Sequence, residues 1–373
     1  MSRTQHRTPA RPTRPAPNGA EPLQPRWALR IALFSALAVV CVAVGVGYVL
    51  HANERTADEE RNAKKVSVAG PASLGVYERE PHIVFRSTAL GDTYGKVALV
   101  PRGNVGAPRA VSDLSCERVD IAADRGVCLE ADRGVVTTYH GVIFDRHFET
   151  LNEFDLAGAP SRVRVSPDGH WAGITVFVTG HSYADLNFST RTNILDLRTG
   201  EMLPDLEQFT VRKDGVAVDS IDRNYWGVTF KPSDGKPGSD GFYATLQTGG
   251  HIYLIEGDVS SRTAKVVGDD VECPSLSPDG TKIAFKVRNS GGSVAAVSWH
   301  LAVLDLATGR RQNLAERRSV DDQVSWLGND TVVYGLPRTS TGSAETNLWS
   351  IPADGSGKPA PWIIRAWSPS IVS

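Results

Sequence analysis

The sequence predicts an all-β protein, a six-bladed β-propeller closed by its C-terminal strand and preceded by one transmembrane helix. Three observations predict it. The phrase SLSPDGTKIAFKV at 275–287 returns at 164–177 as RVSPDGHWAGITVF, so one turn and one strand are spelled twice. From residue 77 onward, units of four short strands follow one another, about 43 residues long in the clearest case, which is the size and strand number of a propeller blade. Ahead of them, IALFSALAVVCVAVGVGYVL at 31–50 is an uncharged run of 20 residues.

The composition agrees with this reading. Glycine (35) and proline (22) are frequent and methionine (2) is scarce, a mix that favours turns and strands over long helices. A formal charge of −2 implies neither nucleic acid nor an acidic surface as a partner.

In chain order, residues 1–30 form an Arg/Pro-rich tail, with prolines from Pro9 to Pro25, whose composition predicts disorder. Residues 31–50 match the length a bilayer-spanning helix needs. A cleaved signal peptide is the alternative; against it, the apolar run is long, about 30 residues precede it, and Leu50-His51-Ala52 puts a large residue where cleavage wants a small one. Arg3, Arg7, Arg11, Arg14, Arg26 and Arg30 precede the run with Glu21 the only acid, whereas charges of both signs follow it. This bias predicts a single-pass protein of the cytoplasmic membrane, with the N-terminus inside and the propeller outside. Residues 51–76 read as a stalk. Arg55/Glu59 and Glu60/Lys64, four apart, can continue the helix until Gly70-Pro71 breaks it.

The propeller occupies 77–373. Its units fall at 81–112, 116–156, 161–209, 226–267, from 273, and at 322–363. In Ser277-Pro278-Asp279-Gly280 each residue suits one corner of a tight turn. The serine can bond its own backbone, the proline presets φ, the aspartate tolerates the third corner, and the glycine takes a positive φ. Ser166-Pro167-Asp168-Gly169 repeats it. After the turn, Ile283, Phe285 and Val287 alternate with Lys282, Ala284 and Lys286, the period of a strand. The unit at 81–112 lacks a first strand, and RAWSPSIVS at 365–373 resembles one. Completing the first blade with the last strand closes the ring and removes free sheet edges.

The SPDG-x-x-IAF phrase, followed by LDLRTG, LDLATG or LWSIPADG, resembles the β-propeller repeat of the TolB-like family over residues 77–373. The resemblance implies a protein-binding propeller outside the cytoplasmic membrane. That family carries an α/β domain ahead of its propeller, and here an apolar run and stalk take that place.

Chemistry-bearing patterns are few. Cys41 lies inside the apolar run, and Cys273 beside Pro274 reads as a core residue. Cys116 and Cys128 flank a hairpin outside the membrane, where disulfides persist, and are either bridged or two small buried hydrophobes. A direct facing would turn at Ala122, whereas Asp124-Arg125-Gly126 looks like the turn, so a bridge requires a loop or bulge. No G-x-S-x-G, H-E-x-x-H or paired C-x-x-C occurs, so no catalytic residue, metal or cofactor is expected. Asp145, His147 and Glu149 alternate as if on one strand face. Asp269-Asp270 and Asp321-Asp322 precede first strands and suggest an acidic rim, with solvated loop charge as the plainer reading. Seven tryptophans, from Trp171 to Trp367, recur in or beside strands and are expected between blades.

The expected function is therefore a membrane-anchored, extracytoplasmic module or scaffold that binds an envelope protein through its loop faces or channel, and not an enzyme. The alternative is a hydrolase or lyase with a carboxylate-lined, cation-dependent channel.

Overall fold

A computed structural model describes residues 26–62, 66–179, 188–232, 240–289, 297–338 and 345–373. The chain divides into two compact units, Met1–Lys64 and Lys65–Ser373. The tail expected over 1–30 lies, up to residue 25, outside the described residues.

In the first unit one helix runs from Arg26 to Asn62, without a break between the apolar run and the expected stalk. Its segment Leu29–Tyr48 is long and apolar enough to cross a membrane, a test that an anchor and a signal sequence both pass. At 1.5 Å per residue, 20 residues extend about 30 Å, the thickness of a hydrocarbon core.

The second unit is a six-bladed propeller. Blade 1 consists of Ala366–Val372, His82–Ser87, Lys96–Pro101 and Ala110–Ser115, ordered from the axis outward. The last strand of the chain pairs antiparallel with the first, His82 opposite Val372 and Ser87 opposite Ala366, as the clasp requires. Blade 2 holds Arg118–Ala122, Arg125–Arg133, Thr137–Asp145 and Thr150–Asp155. Blades 5 and 6 likewise have four strands, with inner strands Glu272–Leu276 and Ser325–Leu327.

Blades 3 and 4 depart from the expected pattern. The unit at 161–209 is expected to supply four strands, yet that sheet has three, Ala159–Val165, Trp171–Thr179 and Ser189–Asp196. Only a short stretch follows the last of these: Met202 bridges Leu195, Asp196 N donates to Glu201 O, and Leu203 N donates to Ile194 O. The chain turns away at Leu206–Gln208, and Thr210–Lys213 pairs parallel with the outer strand Thr263–Asp269 of blade 4, giving that sheet six strands. Residues 66–76, expected as the end of the stalk, also belong to the propeller unit. Val68 bridges Arg109, Ala69 N donates to Arg109 O, and Tyr77 Oη donates to Pro108 O.

The alternation read in the sequence resolves into two buried faces. Ile283 and Phe285 pack on Tyr243 and Leu254 of blade 4, while Ala284 joins Val332 and Tyr334 of blade 6. Each large apolar side chain buried this way contributes about 1.5–3 kcal/mol. The last residue of the polar set, Lys286, is fully buried and points toward the axis.

The Ser-Pro-Asp-Gly turns share one geometry. Ser277 Oγ donates to Asp279 Oδ1 at 2.6 Å and accepts from Lys282 N, while Gly280, at φ +70°, donates its N–H to Ser277 O. Ser166 repeats this with Asp168, Trp171 N and Gly169, also at φ +70°.

Candidate binding site

The six inner strands stand side by side around the axis. The inner edge of each has no further strand to pair with, so its backbone groups need other partners. Side chains of neighbouring blades supply them. Ser368 Oγ accepts from Val119 N and donates to Val119 O, and Ser370 Oγ does the same at Ile121. Thr229 Oγ1 accepts from Leu276 N, and Asp120 Oδ2 from Val165 N at 2.7 Å. From blade 6, Gln323 Nε2 donates to both Val228 O and Pro274 O. Within the segment expected to complete the first blade, Ser368 is a bulge in the clasp strand at φ +53°.

Where these strands begin, charged side chains fill the axis. Arg118 Nη1 meets Asp322 Oδ1 at 3.1 Å, and Arg162 Nη2 meets Asp321 Oδ1 at 3.0 Å. Lys286 Nζ lies 2.5 Å from the same Asp321 oxygen and 4.4 Å from the centre of the Trp299 ring. Burial opposes the Asp321 charge, but Lys286 and Arg162 outweigh it and hold the carboxyl down at about 2. Glu272 accepts from Arg288 Nε and from the Trp299 indole. Burial pushes the Arg118 guanidinium below its usual range, with Arg162 nearby acting the same way. Within this plug the axis narrows to a void of about 20 Å³, room for one water, between Arg118, Arg162, Arg164 and Asp322.

Where the strands end, the axis opens. A funnel of about 420 Å³ has Asp120, Arg164 and Ser325 at its base, where they also line the narrow void. Leu276, Phe230, Trp326 and Ile371 form apolar wall, and Pro167, Pro278 and Ser373 lie at the mouth. The repeated turns thus have a second consequence, since their prolines rim the opening. Burial raises the Asp120 carboxyl against the pull of Arg164, 3.8 Å away.

The remaining expected positions fall elsewhere. Cys116 and Cys128 are joined as a disulfide, with Cα atoms 5.3 Å apart. Their hairpin turns at Ala123-Asp124 and places Val119, not Cys116, opposite Cys128. Cys116 instead belongs to the crossing from blade 1 to blade 2, where its N–H donates to Gly95 O and its carbonyl accepts from Arg86 Nε. Asp145, His147 and Glu149 do not share a strand face. Asp145 ends a strand and its Oδ1 accepts from His147 N and Glu149 N, closing a turn. Asp321 and Asp322 are no free acidic rim, because Arg118, Arg162 and Lys286 neutralise them, whereas Asp269 and Asp270 are exposed. Cys273 is buried and Cys41 exposed. Trp226 and Trp299 are buried between blades, and Trp326 reaches the funnel wall while donating to Ser275 O. Sequence reading missed Arg118, Arg162 and Lys286. Only Lys286, between Phe285 and Val287, carries a signal, a cation flanked by apolar residues inside a strand.

No family model matches the chain, and no curated protein matches it. Among solved structures it is similar to TolB from Acinetobacter baumannii, at 19% identity and a TM-score of 0.51 over 82% of this chain and 68% of that one. It is also similar to a protein taken to be TolB from Agrobacterium tumefaciens, at 11% and 0.44 over 77% of this chain and 90% of that one. An oligogalacturonate lyase from Vibrio parahaemolyticus follows at 10% and 0.42, over 70% and 77%. The first of these likenesses carries the fold, and the chain has a TolB-like propeller.

Proposed function

We propose that this chain is a membrane-anchored module that binds a protein partner, outside the cytoplasmic membrane, by taking a segment of it into the funnel. The observation that carries the reading is the shape and lining of the axis. One end is filled by ion pairs and the other opens as a recess that combines apolar wall with polar groups from base to mouth, the character of a recognition site. The enzyme reading has less support. Asp120, Asp321, Asp322 and Glu272 each face an arginine or lysine of the chain itself, which leaves them poorly placed to ligate a cation or to move a substrate proton.

The test is crosslinking in intact cells, followed by affinity isolation and mass spectrometry, with Ser373→Trp and Leu276→Glu beside the unaltered chain. Ser373→Trp crowds the mouth from an exposed terminal position, and Leu276→Glu charges the wall. A partner recovered with the unaltered chain and lost with both variants supports the reading. A partner retained by both moves binding away from the funnel.

A further inference from the structure

The Cys116–Cys128 disulfide is flanked by side chains that a purely structural bridge does not need. Glu130 Oε1 lies 3.1 Å from Cys128 Sγ, and Glu130 Oε2 lies 3.0 Å from His140 Nε2. The strand register explains the grouping. Cys128 and Glu130, two apart, share one face of blade 2, and His140 is the direct cross-strand partner of Glu130. Cys116 arrives from the connector, fixed by Glu117 N donating to Leu129 O. One ligand atom from each of Cys116, Cys128 and Glu130 falls within 4.8 Å of the others.

A disulfide sulfur has no proton to donate, so a carboxylate oxygen against it gains little. A thiol in the same place donates to that oxygen, and a metal ion joins the two. We propose that Cys116, Cys128 and Glu130, with His140 holding the Glu130 carboxylate from the next strand, form a zinc-class metal site that fills when the disulfide is reduced. Two thiolates and a carboxylate, with water in the fourth position, are ligands that zinc takes in tetrahedral sites, and Zn–S bonds of about 2.3 Å set the sulfurs about 3.8 Å apart. The site is dry on one side and open on the other. Both cysteines are buried, while Glu130 and His140 are half-buried and give an ion its way in.

The chemistry balances with a phosphine as reductant. Phosphorus gives two electrons to the S–S bond and takes an oxygen from water, and the two protons of that water end on Cys116 and Cys128 as thiols. Binding of the divalent ion then releases both thiol protons to solvent. The ligands come from a connector and one strand over 116–130, so the sequence carries no C-x-x-C spacing to announce them.

The experiment titrates cobalt(II) into the full chain in detergent, metal-free, before and after phosphine reduction, and then adds zinc. The reduced chain is expected to take about one equivalent of cobalt with thiolate-to-cobalt absorption in the near ultraviolet and the visible bands of a tetrahedral ion, which zinc abolishes. The oxidised chain and Cys116→Ser/Cys128→Ser are expected to show neither. His140→Ala and Glu130→Gln should keep the thiolate band but bind about tenfold or more weakly. Equal uptake by oxidised and reduced chains overturns the proposal. So does a reduced chain that unfolds without taking metal, or wild-type affinity in both the His140 and Glu130 variants.

Discussion

Asp321 shows how the axis depends on single residues. Its carboxyl is held at about 2 in the folded chain against an ordinary value of 3.8. A carboxyl depressed by folding contributes stability above its unfolded value and loses it as pH falls through the folded one. The contribution of Asp321 is therefore complete above about pH 4 and fades toward pH 2. Asp321→Asn should be less stable than wild type in urea unfolding near neutral pH, and the gap should narrow as pH falls from 4 to 2. A gap independent of pH would refute the ion-pair account. Gly227 makes a second case. It sits in the inner strand of blade 4 at φ +68°, where an added Cβ would lie 2.7 Å from Cys273 Cα. Backbone strain and the clash together should make Gly227→Ala cost about 2–3 kcal/mol in the same assay. Neither role is legible in the sequence, because both depend on which residue meets the neighbouring blade.

At the level of elements, the turns were legible and the departures were not. Ser-Pro-Asp-Gly encodes its own geometry, so two stretches 111 residues apart, at Ser166 and Ser277, fold alike. Ser277→Ala removes an acceptor for Lys282 N and should cost about 1 kcal/mol, with Ser277→Thr recovering part of the loss. The bridge between Cys116 and Cys128 closes a separation of 12 residues. Its replacement by two serines should cost about 2–3 kcal/mol in non-reducing conditions and nothing further in reducing, metal-free ones. Blade 3 stops at three strands because pairing along its outer edge ends at Leu203, an ending with a remote consequence. The chain could leave that blade only because the outer strand of blade 4 offered Thr210–Lys213 a ladder. Asp145, His147 and Glu149 failed for the related reason that a period of two is also compatible with a tight turn.

For the whole molecule, closure governs the rest. The clasp joins Ala366–Val372 to His82–Ser87, and Arg109 fastens the chain beside it by donating to the carbonyls of Ile364 and Arg365 and lying 4.9 Å from the centre of the Phe85 ring. Removing residues 366–373 strips blade 1 of its inner strand and takes Ser368 and Ser370 from blade 2, so cooperative unfolding should be lost rather than shifted. The ring was readable in advance because the first unit lacks a strand and the end of the chain carries one. What the ring encloses was not, because bulges at Gly227, Cys273 and Ser368 redirect the inner strands toward the axis. The central claim is that the funnel, rather than the ion-filled end, receives a protein partner. The most direct measurement places a photo-crosslinking amino acid at Ser373 in the mouth, or at the exposed Asp270 ahead of a strand start, and compares adducts in intact cells. A discrete protein adduct from position 373 and none from 270 is the predicted result. Adducts from 270 alone, or none from 373, would contradict it.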